Sequence, residues 1–138
     1  MVLKIKKDAG AYDPIRAHET DAGLDLRSPI NKVIEPKGKA VIDTGIHVAI
    51  PAGYVGLLTS KSGLMAKHGI TSRGTIDSGY TGSIRVVLFN HSSEHFVVCE
   101  GDKISQLVIL PMLVPTLEYV AGLDDTERGE GGFGSSGK

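Results

Sequence analysis

The stretch KAVIDTGIHVAI, residues 39–50, indicates most clearly which fold this sequence adopts. Its first half leads through Thr44-Gly45 into IHVAI, where apolar and polar side chains alternate until Pro51 ends the pattern. Alternation with a period of two is typical of a strand with one buried face. The chain is also rich in Val and Ile and contains 18 glycines and 6 prolines, a composition that favours strands and tight turns over helices.

Similar short segments recur along the chain, each bounded by Gly, Pro, Asn or Asp. The predicted strands cover residues 2–6, 54–59, 83–90, 95–98 and 103–110. Their roughly 8–12-residue spacing is typical of a sandwich, jelly roll or barrel. One segment predicts a helix, with Ser62 as the N-cap of residues 63–68 and Gly69 at its C-terminal end. We therefore expect an all-β domain with one short helix.

Length and charge argue against several classes of protein. The 138 residues fit one domain, and 15 basic against 16 acidic side chains argue against a nucleic-acid-binding surface or a polybasic membrane patch. The lone Cys99 cannot form an internal disulfide, which indicates a reducing compartment. Neither a signal peptide nor a membrane span is apparent. We expect a cytoplasmic protein without membrane or nucleic-acid partners.

The C-terminal residues 122–138 differ in composition from the rest of the chain. They include six glycines and four acidic residues, but only two large apolar side chains, Leu123 and Phe133. Such a segment buries too little apolar surface to offset its ordering entropy. We therefore expect residues 1–121 to form the β domain and residues 122–138 to form a mobile tail.

The same tail also has the chemistry of a lid over a nucleotide. Its glycine-rich backbone offers N–H groups to an anion, and Arg128 supplies a planar charged group for phosphate oxygens. Ser135 and Ser136 add hydroxyl donors, and Phe133 is suited to stack on a nucleobase. Composition alone leaves both a disordered terminus and a flexible lid open.

Several polar residues stand out in apolar or turn-like segments. Asp77 lies in GTIDSGYTG, residues 74–82, which predicts either a β-hairpin turn or a carboxylate that orients a water molecule. Asp25 lies between two leucines, where a buried ion pair and an indirect metal ligand both match the pattern. Gln106 interrupts an apolar strand and needs a polar partner in the protein or a ligand. Residues 60–63, SKSG, are typical of a helix cap or a phosphate-binding helix start.

Five segments, in order, resemble the five motifs of the trimeric dUTP nucleotidohydrolase (dUTPase) family. They are AGLDLRS (22–28), SKSGLMAKHG (60–69), GTIDSGYTG (74–82), GDKISQLVI (101–109) and RGEGGFGSSG (128–137). The resemblance implies a distorted jelly-roll (β-clip) barrel that hydrolyses dUTP to dUMP and pyrophosphate with Mg²⁺. It also implies a homotrimer with shared active sites, in which the tail closes over a neighbouring subunit's pocket.

The resemblance assigns the reacting water and the nucleoside to the third motif and the tail. Asp77 would activate the attacking water, and Tyr80 would lie under the deoxyribose and reject a 2′-hydroxyl. Phe133 would cover the uracil ring. The uracil edge would be read by the backbone around three residues, Thr75, Ile76 and Arg85.

The resemblance assigns the triphosphate to the remaining motif residues. Those that would hold it are Lys61, Ser62, Gly63, Gln106, Arg128, Gly134, Ser135 and Ser136. Among them, Gln106 would contact the α-phosphate or help to place the water, and Arg128 would bind the γ-phosphate. Asp25 would meet Mg²⁺ through the water shell of the metal.

Two departures from the family pattern concern substrate binding. The second motif usually reads Pro-Arg-Ser, whereas residues 60–62 of this chain read Ser-Lys-Ser, and lysine lacks the bidentate fork of arginine. Only residues 70–73 separate the second motif from the third. The uracil contact that an asparagine makes in longer relatives would therefore fall to backbone or to Ser72. Both features resemble viral or phage members of the family.

Two other functions stay open at the level of sequence. A dCTP deaminase-like enzyme shares this fold but needs an additional acid–base glutamate, and no glutamate adjoins Asp77. A nucleotide-gated regulatory binding protein of phage type usually carries an inserted mid-chain segment, and none is obvious here. A regulatory protein partner would accompany that second alternative.

Overall fold

The computed structural model describes residues 1–137. Within them, nine strands and one helix form in the order β1 Lys4–Lys7, β2 Gly23–Arg27, β3 Lys32–Ile34, β4 Lys39–Ala49, β5 Tyr54–Thr59, α1 Ser62–His68, β6 Ile70–Ile76, β7 Ser83–Asn90, β8 Phe96–Val98 and β9 Lys103–Pro111. The all-β prediction is confirmed. In this described part of the chain, no helix is long and apolar enough to cross a membrane.

Seven strands form one curled sheet in the order β1-β4-β7-β6-β5-β9-β2, and β3 pairs with β8 in a separate two-stranded sheet. Every pairing between these strands is antiparallel. β6 connects the two halves of the large sheet, because residues 70–72 pair with β7 and residues 73–76 pair with β5. The result is the half-barrel that the jelly-roll prediction requires.

β4 supplies the centre of the core. Its intervening residues are exposed or half-buried, and its buried residues are Ala40, Ile42, Thr44, Ile46 and Val48. Burying a large aliphatic side chain contributes about 1.5–3 kcal/mol, so this alternation fixes which face of the strand turns inward. Thr44-Gly45 does not end the strand. The register to β7 shifts between Asp43 and His47, which marks a β-bulge.

The bulge requires glycine at position 45. Gly45 has a φ of +67°, and a Cβ there would lie 2.8 Å from the Cβ of Ala11. Glycine alone adopts this conformation and tolerates this approach without strain. The N-terminal segment can therefore pack against the bulge, where the Asp8 N–H donates to the Gly45 carbonyl oxygen at 2.9 Å.

The helix confirms one predicted end and corrects the other. Gly69 follows the last helical residue with a left-handed φ of +65°, as predicted. The prediction of Ser62 as N-cap is wrong, because Ser62 is the first helical residue and Lys61 occupies the N-cap position. The Lys61 side chain makes no capping hydrogen bond, so helix packing and the Gly69 cap hold this short segment in place.

The chain beyond β9 forms no strand or helix as far as residue 137. The Met112 N–H donates to the Gly53 carbonyl oxygen at 2.8 Å. Beyond that bond most side chains are exposed, including Leu113 and Tyr119 at 92% each. Within residues 122–137, each hydrogen bond of the described chain joins two residues of the same segment.

Candidate active site

The hairpin between β6 and β7 opens towards its turn. The ladder joins the two strands only at three pairs, between residues 70–72 and residues 88–90. Beyond them β6 turns to pair with β5, while β7 continues along β4. In the described chain, the peptide groups of residues 73–76 are therefore not paired with those of residues 84–87. Because such N–H and C=O groups need partners, this slot suits a planar ligand that carries its own donors and acceptors.

The turn at residues 77–82 places two predicted residues at the mouth of the slot. Asp77 is exposed, and within residues 1–137 its carboxylate makes no hydrogen bond or ion pair. The Tyr80 N–H donates to the Asp77 carbonyl oxygen at 3.0 Å, and the Tyr80 hydroxyl donates to the Ser83 carbonyl oxygen at 2.9 Å. The tyrosine ring is thereby fixed to the turn, while the Asp77 carboxylate is available to a bound water.

The residues predicted to read the uracil edge lie on the two sides of the slot. Thr75 and Ile76 end β6, where their backbone pairs with β5 on the side away from β7. Arg85 lies on β7, and its guanidinium Nε is 3.6 Å from an Asp43 carboxylate oxygen on β4. The Arg85 side chain thus turns towards β4, and the role of its backbone at the uracil edge stays a prediction.

The Asp25 carboxylate forms ion pairs with two lysines, Lys61 and Lys103. We call these three residues the Asp25 cluster. Asp25 is only 4% exposed. The Lys61 ammonium bonds one of its carboxylate oxygens, and the Lys103 ammonium bonds the other at 2.9 Å. Burial raises the pKa of Asp25, but the hydrogen bonds and charges of the two lysines outweigh burial and lower it overall. Two cations around one carboxylate leave a net positive charge that attracts phosphate.

Hydroxyl and amide groups attach the start of α1 to β6 and β9. Ser60 Oγ accepts the Ser72 N–H at 2.9 Å and donates to the Ser72 carbonyl oxygen at 3.0 Å. Ser72 Oγ in turn lies 2.8 Å from Ser105 Oγ. Gln106 Nε2 donates to the Ser60 carbonyl oxygen at 3.1 Å. Gln106 therefore has a protein partner, and because the Ser72 hydroxyl is occupied inside the core, the backbone alternative for the uracil contact is favoured.

Ser62 and Gly63 are exposed in the first turn of α1, next in sequence to Lys61. The first N–H groups of a helix have no partner within the helix, and the Met65 N–H is the first to bond back, to the Lys61 carbonyl oxygen at 2.9 Å. Beside them, a Cβ on Gly23 would overlap Oε1 of Gln106. The first motif thus needs glycine so that Gln106 can lie close to the helix start.

The slot and the Asp25 cluster lie at opposite ends of β6. Ser60 fixes the start of α1 against Ser72, and Asp77 follows Ser72 by five positions of largely extended chain. At about 3.3 Å per residue this corresponds to about 16 Å. A groove of about 470 Å³, lined by residues 57–60 and 71–75, runs along this stretch. In a single chain, therefore, this stretch of β6 separates Asp77 from the start of α1.

The predicted tail residues contact one another rather than the β domain. Arg128 Nε donates to the Gly131 carbonyl oxygen at 2.9 Å. A cavity of about 540 Å³ is lined by tail residues that include Arg128, Ser135 and Ser136. Phe133 is fully exposed beside Gly134. In residues 1–137 of one chain, the tail's phosphate-binding candidates are therefore grouped, but not with the slot or the Asp25 cluster.

Asp25 fits an indirectly bound magnesium ion better than a directly bound one. Both of its carboxylate oxygens already bond ammonium groups, and residues 1–137 contain no group of three or more His, Cys, Asp or Glu able to hold a metal. Mg²⁺ keeps several waters and binds one or two carboxylates together with phosphate oxygens. With both oxygens occupied, Asp25 could meet an ion only through water, and only together with a triphosphate that offsets the positive charge of the cluster.

Two residues of this site, Lys103 and Ser105, are absent from the predicted set. Lys103 neutralises Asp25, and Ser105 anchors the Ser72 hydroxyl. The sequence could have indicated Lys103. An aspartate between two leucines needs a cation if it is buried, and the segment GDKISQL, which pairs with the strand of Asp25, contains a lysine. Ser105 has no comparable signal, because serine is common on buried strands and turns alike.

Comparison with known proteins agrees with this architecture. The family model for dUTPase matches residues 10–137. The deoxyuridine 5′-triphosphate nucleotidohydrolase of Clostridium kluyveri is 46% identical over 140 residues, which cover 99% of this chain and 96% of that protein. The human mitochondrial nucleotidohydrolase is 48% identical over 129 residues, covering 93% of this chain and 51% of the human protein.

Solved structures of phage proteins share the whole fold. The Staphylococcus bacteriophage 80alpha dUTPase with dUPNHPP superposes with a TM-score of 0.92 at 37% identity, covering 99% of each chain. A mutant dUTPase from phage phi11 of S. aureus, described with a structural Mg(II) ion, has a TM-score of 0.82 at 35% identity, covering 88% of this chain and 98% of the phage chain. The strand order and the open hairpin thus define a jelly-roll protein of the nucleotide-hydrolase type. The chain belongs to the dUTPase family.

Proposed function

We propose that this protein hydrolyses dUTP to dUMP and pyrophosphate. The observation that carries the proposal is the β6–β7 slot, whose facing backbone edges are not paired with each other and whose mouth holds the free carboxylate of Asp77. A uracil edge has alternating acceptors and a donor, which match the peptide groups of two separated strands. Membership of the dUTPase family supports the same substrate.

Asp77 acts on the attacking water. An unpaired carboxylate within hydrogen-bond reach of a water can orient it and accept its proton, a contribution of typically about 10²–10⁴-fold. The water attacks the α-phosphorus, the bond between that phosphorus and the bridging oxygen breaks, and pyrophosphate leaves. The free carboxylate of Asp77 supports this role, because no cation within residues 1–137 holds it.

Tyr80 selects the sugar. Its hydroxyl is bonded to the Ser83 carbonyl oxygen, so the ring cannot swing away to admit a larger nucleoside without breaking that bond. A flat ring held at the slot mouth supports close packing against a deoxyribose and a clash with a ribose 2′-hydroxyl.

The triphosphate binds at the Asp25 cluster and the start of α1. Its charge needs cations and N–H groups, and Lys61, Lys103 and the free helix N–H groups near Ser62 provide them. Gln106, bonded to the Ser60 carbonyl oxygen, lies at the same place. When bound with the substrate, Mg²⁺ supplies charge neutralisation along the phosphate chain, and Asp25 would hold it through water.

The active site is assembled from several copies in a homotrimer. This part of the proposal rests on membership of the dUTPase family and on the path of about 16 Å from Ser72 to Asp77 along β6, which separates Asp77 from the Asp25 cluster of its own chain. The tail of a further copy then acts as a mobile lid. Arg128, Ser135 and Ser136 line one cavity and would grip phosphates, and the exposed ring of Phe133 would cover the uracil.

A nucleotide panel tests the activity. dUTP, dTTP, dCTP and UTP are incubated with the full chain, with and without Mg²⁺, and pyrophosphate and ammonia are measured. We expect pyrophosphate from dUTP alone, at a rate that falls when Mg²⁺ is removed. Ammonia released from dCTP would contradict the proposal in favour of a deaminase. Tight dUTP binding without pyrophosphate release would contradict it in favour of a regulatory binding protein.

A further inference from the structure

His47 connects two parts of the chain next to the slot. It lies on β4 directly after the bulge, with its side chain 18% exposed. Nδ1 of the ring is 2.8 Å from the carbonyl oxygen of Thr81, in the turn at residues 77–82. Nε2 is 3.0 Å from Oδ2 of Asp8, in the segment that follows β1. The imidazole thus bridges the turn and the N-terminal segment.

Both atoms that bond this imidazole are acceptors. A carbonyl oxygen has no proton to donate, and neither does an ionised carboxylate. A neutral imidazole has one N–H and can satisfy only one of the two, whereas an imidazolium has two N–H groups and satisfies both. The hydrogen bond between the two side chains lowers the pKa of Asp8 and raises the pKa of His47, which agrees with the geometry.

A second contact ties the same turn to β4. Ser83 Oγ donates to the Asp43 carboxylate, and Asp43 Oδ1 also accepts the Gly45 N–H at 3.0 Å. The backbone between Thr81 and Ser83 is therefore held against the β4 bulge at both ends. Because the Tyr80 hydroxyl bonds the Ser83 carbonyl oxygen, movement of this short stretch displaces the ring at the slot mouth.

We propose that His47, as an imidazolium, is a positioning residue that holds the 77–82 turn in the shape required for dUTP binding. The inference deepens the proposed function and rests on it. His47 touches neither Asp77 nor the slot backbone in the described contacts, so it acts through Thr81 and the turn. Its removal should weaken substrate binding more than it slows the chemical step.

The contact with Asp8 favours the protonated ring, although cations also lie nearby. The charged groups facing this region from β1, β4, β7 and the segment after β1 are Lys4, Lys6, Asp8, Asp43 and Arg85. Only Asp8 contacts the ring. The Lys6 ammonium lies 3.5 Å from the other carboxylate oxygen of Asp8. Its charge disfavours protonation of His47, but the Asp8 carboxylate partly neutralises that charge.

The sign of the pH dependence follows from the direction of the shift. The pKa of His47 is raised in the fold, so both of its hydrogen bonds are made below the ordinary histidine value of about 6.5, and one of them is lost as pH rises through the folded pKa. KM for dUTP should increase across that interval. The kcat should change little there, because His47 acts on the turn and does not contact the reacting water.

His47→Phe and Asp8→Asn test the proposal separately. Phenylalanine keeps a ring but removes both N–H groups, and we expect KM to rise about three- to tenfold at pH 6 with kcat within about twofold of the wild type. The rise of KM with pH should disappear in this variant. In Asp8→Asn the carboxylate is gone, so the KM transition should move to lower pH. NMR titration of the histidines should show a raised His47 midpoint that Asp8→Asn lowers.

The matched control is His95→Phe, which removes another histidine–carboxylate contact, from His95 to Glu35 at 2.6 Å. It should leave the KM profile unchanged. Circular dichroism checks that each variant is folded, and Asp8→Asn decides the question if His47→Phe unfolds. A His47 midpoint that Asp8→Asn leaves unchanged, or a wild-type KM profile in both test variants, overturns the inference while dUTP hydrolysis stands. Lack of hydrolysis by the wild type overturns the proposed function itself, and the NMR arm still reports the state of His47.

Discussion

Two aspartates of this chain differ in almost every physical respect. Asp25 is buried and shares its carboxylate between Lys61 and Lys103, which lower its pKa against the opposing effect of burial. Asp77 is exposed at a turn, and within residues 1–137 no cation or donor holds its carboxylate. The first carboxylate is fully engaged in organising positive charge, whereas the second is free to take a proton from water. The comparison shows how the surroundings of one residue type leave one carboxylate fully paired and another unpaired within residues 1–137, as the proposed proton-transfer role of Asp77 requires.

Asp77→Asn should have the largest effect. Asparagine keeps the size and polarity of the turn residue but cannot accept a proton from water, so we expect turnover to fall about 10²–10⁴-fold with dUTP binding retained. Single-turnover pyrophosphate release and equilibrium binding of a non-hydrolysable analogue measure the two quantities. Asp13→Asn, which changes another exposed aspartate, is the control. Near-normal turnover of Asp77→Asn would remove this residue from the proton-transfer role.

Ending the chain after Glu127 should have the next largest effect. The truncation removes Arg128, which would make a charged contact with phosphate, and Phe133, which would stack on the base. We therefore expect kcat/KM to fall about 10²-fold. The melting temperature should stay unchanged, because residues 122–137 bond only among themselves. Thermal unfolding and steady-state kinetics check the two statements. A truncated chain with full activity would eliminate the lid.

Asp25→Asn should mainly affect stability. Removing the charge leaves two lysines facing each other, and after allowance for their partial exposure we expect a loss of about 2 kcal/mol in the free energy of unfolding. The pKa of Asp25 is lowered in the fold, so its contribution is complete above the unfolded value of about 3.9 and is lost as pH falls through the folded pKa. Urea unfolding at pH 7 and pH 3 should therefore show the wild-type advantage shrinking at the lower pH. An equal advantage at both values contradicts the assignment.

Lys61→Arg should have the smallest effect. Arginine preserves the charge beside Asp25 and adds a bidentate fork for phosphate, so we expect KM for dUTP to fall by about threefold or less and stability to stay the same. Lys61→Met is the matched comparison and should raise KM instead. Steady-state kinetics at fixed ionic strength distinguish the two directions. Identical KM values for both variants would exclude Lys61 from the phosphate site.

Sequence reasoning predicts the fold where the pattern is long. The alternation around Ile42 and Ile46 decides the inward face of β4, and Gly69 ends the helix as expected. Sequence reasoning fails where the backbone conformation depends on contacts with residues that are distant in the chain. The Thr44-Gly45 pair is a bulge only because Asp8 and Ala11 pack against it, and the three residues of β3 carry too short a pattern to detect.

The candidate site is predictable in its residues but not in their arrangement. The order of the motifs predicts that Asp77, Tyr80 and Lys61 belong to the site. The spacing of residues in the sequence does not show that Lys61 and Lys103 both bond Asp25. These contacts arise from the pairing of β2 with β9, which links segments about 80 residues apart. The role of His47 likewise cannot be predicted from the sequence, because it depends on the turn that folds against this residue.

The length of β6 has a consequence for the activity of trimers that contain both wild-type and mutant chains. Since a path of about 16 Å along β6 separates Asp77 from Ser72, beside the start of α1, each pocket of the proposed trimer would combine halves from different copies. Co-expression of a chain defective at Asp77 with a chain defective at Lys61 should therefore rebuild some pockets from two intact halves, as in intragenic complementation. Conversely, one defective copy mixed with two sound ones affects the pockets of its neighbours, so such an allele would be partly dominant.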